Sequence, residues 1–484
     1  MSDAIRGLEP GLVWKYFAEL SAHPRCSKHE EQVAAWVMSV ARGLGLEAVR
    51  DRAGNVIARK PASPGHEGAP SVCLQGHLDM VCEKRPDVRH DFAKDPIRLV
   101  RQGDWLMADG TTLGADNGIA VATSLAIMAD RSLEHGPLEF LFTLDEETGL
   151  TGANHLEPGL LRSRILLNLD SEEEGALFVG CSGGRDTLAT WPLATERAPA
   201  AHAPVEITVG GLRGGHSGLE IDKGRGNAVK ILNRLILAIV PLGARLARLD
   251  GGDKRNAIPR DATALAFVPR RRFDEAMGTL HALGEAIRAE LATVEPGLRI
   301  TPAAVRAKGG RVLTRALQRR VTLALSALPH GVVKMSADIP GLVETSTNVA
   351  AIRTTKKDIR VSTSQRSSVA SEIEEIVASV SAAFALAGAR VTHSDGYPGW
   401  KPNLDSPLLK LAVATYRDLT GREPEVKAIH AGLECGIIGT RYPGMDMVSF
   451  GPTLEGVHSP DERLHIGSVA RFWEYLLALL KGVR

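Results

Sequence analysis

The chain has 484 residues, of which 58 are basic and 57 are acidic, so its formal net charge is +1. This balance gives no reason to expect nucleic acid as a partner. No apolar run approaches the ~20 residues that a membrane-spanning helix needs, and the first residues lack the basic and apolar segments of a secretory signal. The length favours two domains. We therefore expect a cytoplasmic two-domain protein with neither a nucleic-acid nor a membrane partner.

The five cysteines are scattered along the chain and include no C-x-x-C pair. Such an odd and unpatterned set fits a reducing compartment better than a disulfide framework. Cys73 lies within an apolar run, where we expect it only to pack.

The first part of the chain alternates between predicted strands and helices. Helical periodicity covers residues 11–43, and apolar runs at 72–80, 138–147 and 164–170 predict buried strands. Between the first two runs, residues 117–130 place their apolar side chains on one helical face. Strands that alternate with helices predict an α/β domain with a mixed or parallel sheet and helices on its faces.

The pattern changes after Gly183 and Gly184. Residues 187–396 read as strand, helix, strand and helix, and then repeat this theme with a second set of strands and helices. We therefore expect a large α+β insert that is internally doubled. The Pro/Gly-rich segment 397–403 suits the return of the chain to the first domain. The prediction is a discontinuous domain, residues 1–186 and 397–484, that carries an inserted domain at 187–396.

Acidic and imidazole side chains follow the predicted strands of the first domain. In open α/β sheets, ligands bind beyond the carboxyl ends of the strands. Several carboxylates that converge there with two histidines would repel one another strongly unless a cation neutralised them. The residues concerned are His77, Asp79, Asp116, Glu146, Glu147, Asp170 and His458. The alternative, a solvated acidic turn, is the usual fate of a short charge run.

The types of side chain indicate which cation to expect. Imidazole and carboxylate without thiolate suit Zn²⁺, with Mn²⁺ or Co²⁺ as substitutes. Two histidines and at least three carboxylates exceed what a single catalytic zinc uses. Two metals that share one carboxylate fit this number better.

Five ordered motifs, GHLDMV, GADNG, DEETG, NLDSEE and GVHSP, resemble those of the di-zinc metallopeptidase superfamily of aminoacylases and zinc carboxypeptidases. The motifs RNAIPR and HAGLECG, together with the length of the insert, are similar to the aminoacyl-histidine dipeptidase branch (peptidase D). The resemblance covers essentially the whole chain. It implies a di-zinc peptidase domain with an inserted lid domain.

The resemblance also implies a role for each site residue. His77 and Asp170 would bind one zinc, Glu147 and His458 the other, and Asp116 would bridge the two. Asp79 would hold the imidazole of His77 in one tautomer, and Glu146 would be the general base. Asp145 receives no role, and we expect it in a solvated turn.

Five further residues are candidates for contact with the substrate. In the superfamily, a histidine at the position of His216 stabilises the oxyanion of the tetrahedral intermediate. By the same resemblance, Asn256 and Arg366 would bind the terminal carboxylate, with Arg353 as an alternative to Arg366. From its charge alone, we expect Glu434 to receive a free α-amino group.

Three hypotheses about function remain open at this point. The first is a dipeptidase that cleaves unsubstituted dipeptides, including Xaa-His. The second is an N-acyl amino acid deacylase or carboxypeptidase of the same superfamily, and the third is a non-catalytic metal-binding scaffold. The retention of Glu146 beside a full ligand set argues against a scaffold, which needs no base. A homodimer also remains open, because relatives with a single lid borrow the histidine from a partner subunit.

Overall fold

The computed structural model describes residues 3–306 and 310–484 of the chain. Its helices are α1 (Gly11–Leu20), α2 (Glu31–Gly43), α3 (Ala115–Ala129), α4 (Glu146–Gly149), α5 (Thr151–Asn154), α6 (Ala228–Ile239), α7 (Phe273–Leu291), α8 (Arg315–Ala327), α9 (Ala370–Leu386), α10 (Pro407–Thr420), α11 (Glu434–Arg441) and α12 (Ile466–Gly482). Its strands are β1 (Glu47–Arg50), β2 (Val56–Lys60), β3 (Val72–His77), β4 (Leu99–Gln102), β5 (Trp105–Ala108), β6 (Leu138–Thr143), β7 (Ile165–Asn168), β8 (Ala176–Cys181), β9 (Gly183–Pro192), β10 (Thr195–Arg197), β11 (His202–Gly210), β12 (Arg245–Gly251), β13 (Ala262–Pro269), β14 (Arg299–Ala304), β15 (Arg311–Leu313), β16 (Gly331–Met335), β17 (Val343–Thr354), β18 (Asp358–Ser367), β19 (Arg390–His393), β20 (Glu425–Ile429), β21 (Asp446–Ser449), β22 (Leu454–Glu455) and β23 (Arg463–His465). None of the helices in the described ranges is long and apolar enough to cross a membrane.

The chain divides into two compact units. Unit 1 comprises Met1–Gly180, Pro402–Ala428 and Leu433–Arg484, and unit 2 comprises Cys181–Lys401 and Ile429–Gly432.

Unit 1 is built on an eight-stranded mixed sheet in the order β1-β2-β6-β3-β7-β21-β8-β20. Its centre is parallel, because β3 pairs in parallel with both β6 and β7, and β21 pairs in parallel with β7. All residues of β3 and β6 are buried, as is typical of central parallel strands with both faces covered. The carboxyl ends of β3, β6, β7 and β21 therefore lie at one edge of the sheet.

The predicted helical run over residues 11–43 is interrupted in the structure. Helix α1 ends at Leu20 and α2 begins at Glu31, and Pro24 between them has no N–H to continue a helix. The connecting segment carries Arg25 and Ser27, whose side chains contact the loop after β3.

One disulfide is present that the scattered cysteine spacing did not predict. Cys26 and Cys82 are 56 positions apart in sequence, and their Cα atoms are 5.7 Å apart. A parallel bridge between Cys26 and Met80 brings these segments together. Such a long-range contact leaves no trace in the spacing of the cysteines. Cys73 is buried in β3, as expected.

Unit 2 contains a nine-stranded sheet in the order β14-β11-β13-β12-β17-β18-β9-β19, with β16 also paired to β17. The sequence β12-β13-β11-β14 on one side has its counterpart in β17-β18-β9-β19 on the other. Helices α6 and α7 connect strands of the first set, and α8 and α9 precede and follow the β17-β18 hairpin of the second. The insert is therefore doubled, as the sequence predicts. In the second set, β9 takes the position that β11 has in the first, although β9 comes before the first set along the chain.

The core of unit 2 lies between this sheet and its helices. It includes Trp191 and Phe384, whose rings pack edge to face with centroids 5.9 Å apart. Helix α6 begins after Asn227, whose side chain accepts hydrogen bonds from the N–H groups of Val229 and Lys230. This cap ends the glycine-rich loop that carries His216.

Candidate active site

The loops at the carboxyl edge of the unit 1 sheet bring the five predicted metal ligands into two groups that share Asp116. Potential ligand atoms of His77, Asp116 and Asp170 lie within 4.8 Å of one another, and so do those of Asp116, Glu147 and His458. His77 ends β3, Glu147 lies in α4 just after β6, and Asp170 lies just after β7.

Asp116 lies between the two imidazoles. Its Oδ1 is 3.1 Å from Nε2 of His77, and its Oδ2 is 3.1 Å from Nε2 of His458. On one side, Asp170 Oδ1 is 3.3 Å from His77 Nε2. On the other side, Glu147 Oε2 is 2.9 Å from His458 Nε2. One carboxylate thus offers a different oxygen to each group.

These groups fit a cation in both spacing and chemistry. Two ligand atoms on one tetrahedral zinc lie about 3.3 Å apart, close to the separations of the nitrogen and oxygen atoms in both groups. Among the described residues, Glu147 Oε1 and Asp170 Oδ1 are buried without a hydrogen bond of normal geometry. Buried carboxylate oxygens without partners are costly, and a bound cation would satisfy them.

The protein's own charges perturb this site. Burial raises the pKa of Asp170 to about 6, with His77 opposing the rise and Asp116 and Glu147 reinforcing it. Hydrogen bonds to Asp116 and Glu147 raise the pKa of His458 to about 11. The acids around His458 therefore stabilise a positive charge at the position where a metal ion would bind.

Asp79 fixes the orientation of His77 and of the turn that follows β6. The Nδ1 atom of His77 lies 3.1 Å from the carbonyl oxygen of Asp79 and 3.3 Å from its Oδ1. Because both neighbours are acceptors, Nδ1 would carry the proton when Nε2 gives its lone pair to a metal ion. The backbone N–H groups of Glu146 and Glu147 donate to the carboxylate of Asp79 at 3.0 and 3.2 Å, and Ser27 Oγ donates at 2.7 Å.

Glu146 belongs to neither group of potential ligands, although it is adjacent to Glu147 in sequence. Burial raises the pKa of Glu146 well above its usual value, His77 opposes this, and Asp170 and Glu434 add to it. The structure therefore places a carboxyl group beside the ligand set that is not itself part of it.

The expectation of a solvated turn at Asp145 is wrong. Asp145 is buried, with 5% of its surface exposed. Its carboxylate accepts from the hydroxyl groups of Thr148 and Thr151, and its N–H donates to Glu30 Oε1 at 2.9 Å. These contacts hold the tight turn in place, and a charge run read in isolation does not reveal them.

Glu434 is fully buried at the start of α11. Its Oε2 accepts from Gln75 Nε2 and from Thr143 Oγ1, both at 2.6 Å. Its Oε1 is buried without a hydrogen-bond partner among the described residues. Burial raises the pKa of this carboxyl to about 7. One of its oxygens is thus held by the sheet and the other is available.

In unit 2, the backbone fixes the tautomer of His216. Its Nδ1 accepts from the N–H groups of Gly218 and Leu219 at 3.3 and 3.1 Å, so in the neutral ring the proton resides on Nε2. Burial, with help from Arg366, lowers the pKa of His216 to about 4. At neutral pH the ring is therefore an uncharged donor through Nε2–H.

Asn256 lies on the segment beside His216. Its carbonyl accepts from the N–H of Ser217 at 2.8 Å, and both Asn256 and His216 line a cleft of about 810 Å³. Arg353 lines the same cleft, but its guanidinium is half exposed and donates to the carbonyl of Gly252 at 2.6 Å.

Arg366 is buried, with 6% of its surface exposed. Its Nη1 donates to Tyr397 Oη at 2.8 Å, and its Nε has no hydrogen bond in the described part of the chain. It is close enough to lower the pKa of both His216 and His430. A buried guanidinium with an open donor suits an anionic ligand better than the exposed Arg353 does.

Two residues near Arg366 were not predicted as site residues from the sequence. His430 is buried, and its Nε2 lies 2.7 Å from Ser346 Oγ. Tyr397 holds Arg366 from the Pro/Gly-rich segment. His430 is the first residue of the HAGLECG motif, so the motif was the signal that could have identified it. Its partner Ser346 is distant in sequence.

Comparisons with known proteins identify the family of the chain. Residues 73–482 match the model of peptidase family M20/M25/M40. The chain is 42% identical over 477 residues, 98% of each chain, to the cytosol non-specific dipeptidase of Escherichia coli (strain K12). It also matches the crystal structure of aminoacylhistidine dipeptidase from Vibrio alginolyticus, with a TM-score of 0.92 and 41% identity, over 99% of this chain and 98% of that one.

A more distant match shares the fold alone. Aminopeptidase PepT from Bacillus cereus ATCC 10987 gives a TM-score of 0.57 at 17% identity over 98% of this chain and 99% of that one. The resemblance read from the motifs is thus confirmed. The chain belongs to peptidase family M20/M25/M40, whose members are metal-dependent peptidases.

Proposed function

We propose that this protein is a cytoplasmic dipeptidase that uses two zinc ions to hydrolyse unsubstituted dipeptides, including Xaa-His. The observation that carries the metal part is the position of Asp116, which offers one oxygen to each of two imidazoles. The substrate part is supported by the match to a dipeptidase over nearly the full length of both chains.

His77, Asp116 and Asp170 would hold one ion, and Asp116, Glu147 and His458 the other. When bound, such a pair polarises the amide carbonyl and lowers the pKa of the attacking water. Imidazole and carboxylate ligands suit Zn²⁺, and Mn²⁺ or Co²⁺ could substitute for it.

Glu146 would move the proton. It takes a proton from the water whose oxygen attacks the amide carbon, and it delivers that proton to the nitrogen as the C–N bond breaks. Its backbone is fixed by Asp79, while its carboxylate remains outside both ligand groups. The neighbouring Glu147 is a ligand in this scheme, so the two glutamates have separate roles.

Unit 2 would provide the remaining contacts, with residues 187–396 acting as the inserted lid domain of a catalytic domain formed by 1–186 and 397–484. His216 would donate its Nε2–H to the oxyanion, and Arg366 and Asn256 would bind the substrate carboxylate. Glu434, in unit 1, would receive the α-amino group on its unbonded Oε1.

The substrate class can be tested by comparing a dipeptide with its N-acetyl and C-terminal amide forms. A short substrate must be held at both ends to place its amide correctly, so both modified forms should be cleaved more slowly. Faster cleavage of the N-acetyl form would favour the deacylase hypothesis instead.

A pair of arginine variants localises the carboxylate contact. Arg366→Lys loses the planar fork, so KM for the dipeptide should rise about 10–100-fold, the loss expected for a charge-assisted hydrogen bond. KM for the amide should change little. Arg353→Lys is the matched control, and a larger effect there would transfer the role to Arg353.

A further inference from the structure

A buried carboxylate that the proposed reaction does not use lies against the loop that carries Asp116. Glu462 has 2% of its surface exposed. Its Oε2 accepts from the N–H groups of Leu113 and Gly114 at 2.7 and 2.9 Å. Its Oε1 accepts from those of Ala115 and Asp116 at 2.7 and 3.3 Å. Together the two oxygens thus accept hydrogen bonds from four consecutive backbone N–H groups.

These donors are the N–H groups at the entry to helix α3, which have no partners within the helix. Gly114, at the N-cap, provides no side chain to satisfy them. Negative charge is favoured at a helix N-terminus, so Glu462 takes the place of a local cap although it is more than 340 positions away in sequence. The backbone of Asp116 and Asn117 departs from helical angles at this point, and such a turn needs outside contacts to define it.

The buried guanidinium of Arg25 donates hydrogen bonds to carbonyl groups of the same segment and of the loop after β3. Its Nη2 donates to the carbonyl of Gly114, and its Nη1 donates to those of Leu78 and Asp79 at 3.1 and 3.0 Å. Burial lowers the pKa of Arg25 to about 10, and Glu462 is the carboxylate that opposes this most strongly. A Cβ at Gly114 would lie 2.4 Å from Arg25 Nη2, so this packing requires glycine there.

The two opposite charges therefore define two loops at once. Arg25 links the loop after His77 to the loop before Asp116, and Glu462 fixes the peptide groups on which Asp116 is mounted. We propose that Glu462, assisted by Arg25, is a positioning residue that sets Asp116 so that its two oxygens face the two imidazoles. This inference rests on the proposed role of Asp116 as the shared ligand.

The charge and shape of Glu462 make a specific variant informative. Glu462→Gln keeps the shape but replaces one oxygen by an NH₂ group, which would face two N–H donors and cannot accept from them. Asp461→Asn is the matched control, because Asp461 is the residue immediately before Glu462 and forms an exposed ion pair with Arg85 at 2.7 Å. Glu462→Asp retains both oxygens on a shorter side chain and should restore part of the loss.

The experiment measures binding of Zn²⁺ to the metal-free protein by competition with a chromophoric chelator, together with the visible spectrum of the Co²⁺-loaded protein. Residues that orient a metal ligand typically affect metal affinity by ~10–100-fold. We expect a loss of that order in Glu462→Gln, an altered Co²⁺ spectrum, partial recovery in Glu462→Asp and no change in Asp461→Asn.

The outcomes separate this inference from the proposed function. If the unmodified protein binds two ions and Glu462→Gln binds them with unchanged affinity and spectrum, the positioning role is wrong and the proposed function stands. If Glu462→Gln only lowers the unfolding temperature and leaves the Co²⁺ spectrum unchanged, Glu462 is a structural cap and the inference is likewise wrong. If the unmodified protein fails to bind two ions, the proposed function itself fails. Should Glu462→Gln not fold, the same measurements on Glu462→Asp decide.

Discussion

The adjacent glutamates of the DEET turn should respond differently to the same chemical change. Glu147 Oε2 lies 2.9 Å from His458 Nε2 in one ligand group, whereas Glu146 belongs to neither group. Glu146→Gln removes a proton acceptor and leaves every proposed ligand in place. General base catalysis typically contributes ~10²–10⁴-fold, so kcat should fall by that factor while metal content remains at two ions per chain.

Glu147→Gln changes a ligand instead. One of three proposed protein ligands loses its charge, and a neutral amide remains against the half-exposed His458. The loss in affinity should exceed the ~10–100-fold that outer partners of a metal site typically contribute. At a metal concentration that just saturates the unmodified protein, the content should therefore fall from two ions towards one.

The assay combines metal analysis of the desalted proteins with steady-state kinetics on one dipeptide. Circular dichroism of each variant checks that the fold is kept. The division of roles would be refuted if Glu146→Gln lost a metal ion, or if Glu147→Gln kept both ions and full kcat. Equal metal content in the two variants would also contradict it.

Two further changes test unit 2. His216→Ala should lower kcat by ~10²–10³-fold with a much smaller change in KM, since it removes a donor to the oxyanion. A rise in KM alone would instead show that His216 contacts the substrate in the ground state. His202→Ala serves as the control. Burial, Arg366 and His216 lower the pKa of His430 to about 3, so below its unfolded value of about 6.5 the unfolded chain binds a proton that the folded unit excludes. The contribution of His430 to stability should therefore fall with decreasing pH by about 1.4 kcal/mol per pH unit near pH 5. In urea unfolding, His430→Gln should remove this contribution from the pH dependence of stability, and an unchanged pH dependence would show that His430 is not responsible.

The strands and the grouping of the candidate ligands could be predicted because both leave local signals. The apolar runs at 72–80 and 138–147 identify buried strands, and the acids or histidines at their carboxyl ends mark the ligand edge of the sheet. Parallel pairing then brings these ends together in the structure. The doubling of the insert was also visible as a repeated order of elements, although β9 was missed because it precedes the rest of its set.

Contacts between distant segments could not be predicted in this way. Glu462 meets the N–H groups of residues 113–116, and Arg25 meets carbonyl groups from two loops. Neither contact has a characteristic sequence spacing, because a backbone N–H or carbonyl carries no residue identity. The Cys26–Cys82 disulfide was missed for a related reason, since only the path of the folded chain brings the two cysteines together.

The hydrogen bonds of the buried carboxylates separate those that hold the structure from those that are free to bind. Asp79 and Glu462 accept from backbone N–H groups through both oxygens, so their charge is already compensated by the fold. Glu147 and Asp170 each keep a buried oxygen without a normal hydrogen bond among the described residues, and they are two of the three acids proposed as ligands. Glu434 combines the two conditions, because Gln75 and Thr143 hold one oxygen and the other is unbonded. An unpaired buried acceptor costs free energy, and a cation or a substrate ammonium group would offset that cost. This argument supports the proposal that Glu434 receives the substrate and that Glu147 and Asp170 bind the metals.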